Sequence, residues 1–169
     1  MTPFESPVVV APCAFGLGLF ARHHFAPGDV VLRFEGPERE DPRDGTAGEA
    51  NLVQIGLGRY LFPDAPWVYV NHSCEPNTAF LDDAQTLYAI TTIERGDELF
   101  FDYSTSMLDD PWTMRCGCGH ASCRGIIGEF ATLPPSVQRR YLDLGLVPAF
   151  VRDRYAARPL AAHDLRCAS

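Results

Sequence analysis

Asn71-His72-Ser73-Cys74-Glu75-Pro76-Asn77 follows the short apolar run Val68-Tyr69-Val70. Seven polar or turn-forming residues thus crowd one strand end. On its own an Asn-His pair in a turn reads as a hydrogen-bonded cap. An alternative is that His72, Cys74 and Glu75 form the metal-binding set of a hydrolase, which ranks last because an open three-ligand zinc site is not evident from them. The choice depends on what the rest of the chain supplies.

Two segments flank this one. Upstream lies Gly16-Leu17-Gly18-Leu19-Phe20-Ala21, where small residues let backbone approach a ligand closely. It lacks the spacing of a dinucleotide-binding loop, and no helical pattern follows it. Downstream lies Glu98-Leu99-Phe100-Phe101-Asp102-Tyr103, which alternates as a strand does, so Phe101 and Tyr103 are expected on one face. Further strand-like runs are Val8-Val9-Val10, Val30-Val31-Leu32, Leu52 to Ile55 and Thr86 to Ile93. Gly- and Asp-bearing turns separate them, which argues for many short strands rather than alternating strands and helices. After Pro134-Pro135 the pattern becomes helical. Ser136 to Leu144 places Val137, Tyr141 and Leu144 on one face and closes at Gly145, and a second helix is expected from Ala149 to Ala157.

The chain has 169 residues, 46% hydrophobic and 21% charged, enough for one globular domain and too apolar for a disordered tail. Net charge is −8, so non-specific nucleic-acid binding is not expected. The charge is uneven. Residues 1–127 carry 8 Arg against 18 acids, and residues 128–169 carry 6 Arg against 4 acids. Glu35 to Glu49, Asp82-Asp83 and Asp109-Asp110 are acidic surface segments, read as solvated faces with a second use as a rim for a basic partner. All 14 basic residues are Arg, and Lys is absent. No apolar run reaches the roughly 20 residues of a membrane span. Met1 to Phe20 has no basic residue, so no secretory leader is expected.

Six cysteines occur, and Cys116, Cys118 and Cys123 fall within eight positions. That clustering favours metal ligation over a disulfide framework, and with it a reducing compartment such as the cytoplasm. Structural zinc takes four ligands in a tetrahedron, so the fourth must come from elsewhere. His120, inside the Cys118–Cys123 loop, is one candidate and Cys74 the other. Cys13 reads as a buried apolar residue and Cys167 as an exposed thiol.

Taken together, Gly16 to Ala21, Asn71 to Asn77, Gly96-Asp97-Glu98-Leu99 with Phe101-Asp102-Tyr103, and Cys116-Gly117-Cys118-Gly119-His120-Ala121-Ser122-Cys123-Arg124-Gly125 closely resemble the SET-domain protein-lysine methyltransferases with a post-SET zinc element. The resemblance implies a mainly β fold, the β-clip of short strands with a pseudoknot. It also implies a small zinc-binding post-SET element, followed by a C-terminal helical tail. The corresponding boundaries are 6–105 for the SET domain, 112–128 for the post-SET element and 129–169 for the tail. It implies S-adenosylmethionine as methyl donor, a lysine amine in a basic protein or peptide as acceptor, and a cytoplasmic setting (nuclear if eukaryotic). Membrane and nucleic-acid partners are not expected.

By resemblance, Tyr103 is the catalytic residue and Phe101 lies in the substrate channel. At that place Phe permits di- or trimethylation, because no hydroxyl holds the amine or a water. Gly16, Leu17, Gly18, Asn71, His72, Tyr103 and Ile127 fall at cofactor-contacting places. Cys74, Cys116, Cys118 and Cys123 become the zinc ligands. Val68 stands where many relatives carry Arg. The alternative is a non-catalytic, zinc-stabilised module of the same fold that binds a basic peptide. Intact Asn71, His72 and Tyr103 weigh against it.

Overall fold

The computed structural model describes residues 6–40, 51–108 and 112–156. Cys167, Asp109, Asp110 and residues 41–49 of the Glu35 to Glu49 acidic segment therefore lie outside the described residues, as does the chain beyond 156. The order is β1 (Val8–Cys13), β2 (Gly16–Ala21), β3 (Val30–Arg33), β4 (Glu38–Arg39), β5 (Val53–Gly56), β6 (Arg59–Leu61), β7 (Asn71–His72), β8 (Thr78–Phe80), β9 (Thr86–Ala89), β10 (Phe100–Phe101), β11 (Thr113–Arg115), β12 (Ile126–Gly128), α1 (Pro135–Asp143) and α2 (Ala149–Ala156).

The strands form five small sheets, mostly antiparallel. β1 and β2 make a hairpin across a two-residue turn, with Cys13 opposite Gly16. Gly16 has φ of 104°, a conformation that glycine adopts without strain. β3, β9 and β8 form one three-stranded sheet and β4, β6 and β5 another. The crossing that positions the site is a parallel pair, Phe100 opposite Asn71 and Phe101 opposite His72. So short a pair needs help. Asn77 Nδ2 donates to the Glu98 carbonyl at 2.8 Å, and the Phe100 N–H donates to Asn77 Oδ1 at 2.9 Å. Thr78 Oγ1 donates to the Phe100 carbonyl at 2.8 Å. The 98–101 segment is thereby held between the polar segment after β7 and the start of β8.

The main core lies inside these sheets, with Leu19, Phe80, Leu87, Ile93 and Leu99 fully buried among sixteen clustered apolar residues. Burying a side chain of this size contributes roughly 1.5–3 kcal/mol. A second cluster, Phe130, Leu133, Tyr141, Val147 and Val151, is built by the helical end. That end packs back on the sheets: the Ala149 N–H donates to the Asp82 carbonyl at 3.1 Å, and Arg152 pairs with the Asp82 carboxylate at 2.6 Å.

Several expectations shift. The Thr86 to Ile93 strand stops at Ala89, because the chain turns to bridge Ile93 with Phe25. The Glu98 to Tyr103 strand shrinks to two residues. The Asp102 carboxylate accepts the Ser104 N–H and starts a 3₁₀ turn over Tyr103–Thr105. Leu144, expected on the buried face of α1, is 58% exposed, because the chain leaves the helix there for Gly145 at φ 65°. Cys13 is half-buried rather than buried, and its sulfur faces the Asn71 amide and the Phe15 N–H, both at 3.4 Å.

Candidate active site

β7 and β10 lie parallel, so residues 29 apart in sequence become neighbours. The Tyr103 ring centroid is 5.3 Å from that of His72 and 4.7 Å from that of Phe101. Strand alternation is not the reason Phe101 and Tyr103 adjoin, since Tyr103 has left the strand; the turn capped by Asp102 brings its ring back. The Tyr103 hydroxyl donates to the Val70 carbonyl at 2.8 Å. Burial pushes this phenol well above its usual range, so it stays protonated.

His72 is held from both ring nitrogens. Nδ1 accepts the Tyr103 N–H at 3.2 Å, which leaves the ring proton on Nε2, 3.5 Å from the Cys74 sulfur. Burial drives its pKa from 6.5 down to about 4, with Asp102 opposing and Arg124 assisting, so the imidazole is neutral. Asn71 Nδ2 donates to the Leu17 carbonyl at 3.0 Å and to Glu98 Oε1 at 2.8 Å, which ties the polar segment to β2. Gly18 leaves room there for the Glu98 carboxylate, which a Cβ would force to shift.

These groups open onto a cavity of about 640 Å³. Asn71, His72, Phe101 and Tyr103 line it, with Val68 and Val70 beside them and Cys116, Gly117 and Cys118 closing one end. Gly16, Leu17, Gly18 and Ile127 are not part of its wall. Leu17 reaches the site through Asn71, and Ile127 is buried within β12. The volume and the mostly apolar and aromatic lining with a few polar groups suit a nucleoside-sized ligand. The Trp112 indole nitrogen belongs to a cavity-lining residue and has no hydrogen-bond partner among the described residues.

The thiols of Cys74, Cys116, Cys118 and Cys123 converge, with all four sulfurs within 4.8 Å of one another. Cys74 and Cys116 are 3.8 Å apart. A zinc tetrahedron with bonds near 2.3 Å has edges of about 3.8 Å, so the donor set fits that ion. His120 instead faces Glu75 at 3.3 Å and stands outside the cluster. Glu75, which also accepts from Ser122 at 2.6 Å, is likewise outside it. That removes the hydrolase grouping of His72, Cys74 and Glu75. The Arg124 N–H donates to the Cys74 sulfur at 3.4 Å, as backbone amides do to metal thiolates. Burial pushes the Cys116 thiol up to about 12; against burial, hydrogen bonds from neighbouring backbone and thiols bring Cys118 down to about 6. A divalent cation would supply the positive charge that four thiolates need.

Asp102 lies between Phe101 and Tyr103 in the motif, and its residue type alone assigns it no role there. Its side chain is fully buried. It receives Arg124 through two hydrogen bonds of 2.7 Å, the Tyr141 hydroxyl at 2.9 Å and the Ser104 N–H at 3.1 Å, and lies 3.6 Å from His72 Nδ1. An acid between two aromatic residues of a strand that packs on a core was the available signal, since such a group must find a cation.

A family model for the SET domain matches residues 16–104, more than half of the chain. The chain is 33% identical over 123 residues to the Neurospora crassa histone-lysine N-methyltransferase, H3 lysine-9 specific dim-5, covering 59% of this chain and 35% of that one. It is 34% identical over 93 residues to methyltransferase flvH of Aspergillus flavus, covering 53% and 51%. Against histone-lysine N-methyltransferase ATX2 of Arabidopsis thaliana it is 27% identical over 136 residues, 68% of this chain and 12% of the relative, so it spans a small part of that protein's length. Among solved structures, Arabidopsis thaliana SUVH6 in complex with SAM aligns with TM-score 0.56 at 21% identity, covering 72% of this chain and 33% of that one, a likeness of fold. The matched span holds both halves of the crossing, from the hairpin glycines to Tyr103, and the chain belongs to the SET-domain family.

Proposed function

We propose that this chain transfers a methyl group from S-adenosylmethionine to the side-chain amine of lysine in a basic protein or peptide. The observation that carries the reading is the meeting of Asn71, His72, Phe101 and Tyr103 on one cavity wall, beside the cysteine cluster. The methyltransferase names of the relatives point the same way. When bound, S-adenosylmethionine supplies an electrophilic methyl group on a positively charged sulfur.

The chain's own residues align the acceptor. Near pH 7.4 only about one lysine in a thousand is neutral, because its pKa is near 10.4. An apolar wall of Val70, Phe101 and Phe34 disfavours the ammonium, so the amine enters uncharged and its proton leaves to water. No strong base is needed. Tyr103 donates its hydroxyl hydrogen bond to the Val70 carbonyl, which leaves its oxygen lone pairs free to accept an amine N–H. That contact turns the nitrogen lone pair toward the methyl group, and such alignment accounts for a large part of the rate. Phe101 offers no hydroxyl and packs with Phe34 and Phe80 at 5.9 and 5.4 Å, which leaves room for di- or trimethylated product. Asn71 and His72 are assigned to hold the methyl donor from the cavity wall; Gly16, Leu17 and Gly18 are assigned to support them from behind, through the Leu17 carbonyl that accepts from Asn71, and Ile127, buried in β12, is given no direct contact with the donor. Cys74, Cys116, Cys118 and Cys123 are assigned to structural zinc, on domain limits of 6–105, 112–128 and 129–169. The described residues include no helix long and apolar enough to cross a membrane.

The test is transfer of radioactive methyl from S-adenosylmethionine into a cell extract, parent against Tyr103→Phe. With no lysine of its own, the chain gives no lysine self-labelling. Label in extract proteins that falls about 100-fold in the variant, at unchanged cofactor affinity, supports the assignment. Equal rates overturn it.

A further inference from the structure

The cavity wall does not explain why a carboxylate is buried immediately before Tyr103. Asp102 is approached from three separate parts of the chain. Arg124, just after Cys123, gives two hydrogen bonds, one to each carboxylate oxygen. Tyr141 of α1 gives its hydroxyl to Oδ2 at 2.9 Å. His72 lies beside Oδ1. Oδ1 in turn accepts the Ser104 N–H, so the carboxylate fixes the turn that starts at Tyr103. Both outer partners are anchored independently. The Arg124 backbone donates to the Cys74 sulfur, and the Tyr141 ring is buried in the second core with Phe130, Leu133, Val147 and Val151.

We infer that Tyr141, together with Arg124, is a positioning residue that acts through Asp102 to hold the Tyr103 hydroxyl in register with the Val70 carbonyl. This rests on the methyl-transfer reading above and extends it to α1, a segment without a part in that reading. Neither Arg124 nor Tyr141 lines the cavity. Their loss therefore leaves the ligand-contacting surface intact and loosens only the placement of residues 102–104. Charge balance is consistent with this. One guanidinium offsets one carboxylate, and Tyr141 contributes a neutral donor whose phenol burial and the Asp102 charge keep protonated.

The test compares the parent, Tyr141→Phe and Arg124→Lys as full chains. Tyr141→Phe removes one oxygen and keeps the ring in its core, so folding is preserved; Arg124→Lys keeps the charge and removes the fork. Two readouts are taken: methyl-transfer kinetics, and hydrogen exchange of the amides of 103–106 against those of β8 and β9. The expected result is a kcat about tenfold lower in each variant with both KM values within about twofold, and exchange at 103–106 about tenfold faster with β8 and β9 unchanged. Unchanged exchange at 103–106, or a loss seen in KM alone, overturns the positioning role while methyl transfer stands. A parent chain that transfers no methyl overturns both readings, and is told apart because the failure then precedes any substitution.

Discussion

Asp102→Asn removes one charge from the least accessible arginine–carboxylate pair among the described residues, at almost no cost in volume. Asp102 is 0% exposed and Arg124 13% exposed. Taking away one member of such a pair leaves the other charge buried without an offset, which costs about 3–5 kcal/mol. Geometry offers little relief. Both carboxylate oxygens accept from donors, so whichever one becomes an amide nitrogen points its hydrogens at Arg124, Ser104 or Tyr141. Urea unfolding reads the loss. With a slope of about 2 kcal/mol per molar, the midpoint falls by about 1.5–2.5 M, provided that metal is held at a fixed concentration. Asp83→Asn is the control. Asp83 also pairs with an arginine, Arg33 at 2.6 Å, but the two side chains are 42% and 54% exposed. An exposed pair is worth about 0–1 kcal/mol, so the control moves by about 0.5 M or less. Equal shifts in the two variants would refute the argument that burial, rather than pairing, sets the cost. So would a midpoint for Asp102→Asn within about 0.5 M of the parent.

Two further outcomes follow from the site. Protein purified without chelator is expected to carry one zinc per chain by mass spectrometry, and Cys118→Ser or Cys74→Ser to lose it together with a lowered Tm, since both sulfurs belong to one cluster. Full metal content in Cys74→Ser would return the fourth ligand to His120. Phe101→Tyr adds a hydroxyl to the cavity wall beside Tyr103, so the product is expected to shift from di- or trimethylated towards monomethylated lysine. Mass spectrometry of the methylated substrate decides this, and a parent product that is already strictly monomethylated would contradict the role given to Phe101.

How much of this could be read in the chain depends on the distance over which each interaction acts. The hairpin at Gly16 and the closure of α1 at Gly145 follow from local backbone rules, and both were legible. Motif residues such as Asn71 and His72 were legible because their chemistry is dense and their order resembles a family. Cys74 was a candidate by resemblance, and only the fold brings its sulfur to 3.8 Å from Cys116, 42 residues away. Phe101 and Tyr103 adjoin for a reason other than the strand alternation that the sequence suggests: the Asp102 carboxylate ends the strand by capping a turn, a side-chain effect that no periodicity records. Leu144 shows the opposite failure, a regular period extended one residue past the point where the chain departs. Tyr141 shows the limit most clearly. On the sequence it is an apolar-face residue of an amphipathic helix, and its ring does sit in that core. Its hydroxyl matters only because a carboxylate 39 residues earlier is sealed from water with one cation to share. A buried charge recruits donors wherever the fold supplies them, so the residues that answer it are set by three-dimensional proximity. For the same reason the Asp102 group joins the crossing, the cysteine cluster and α1 into one unit, although the sequence separates them into three.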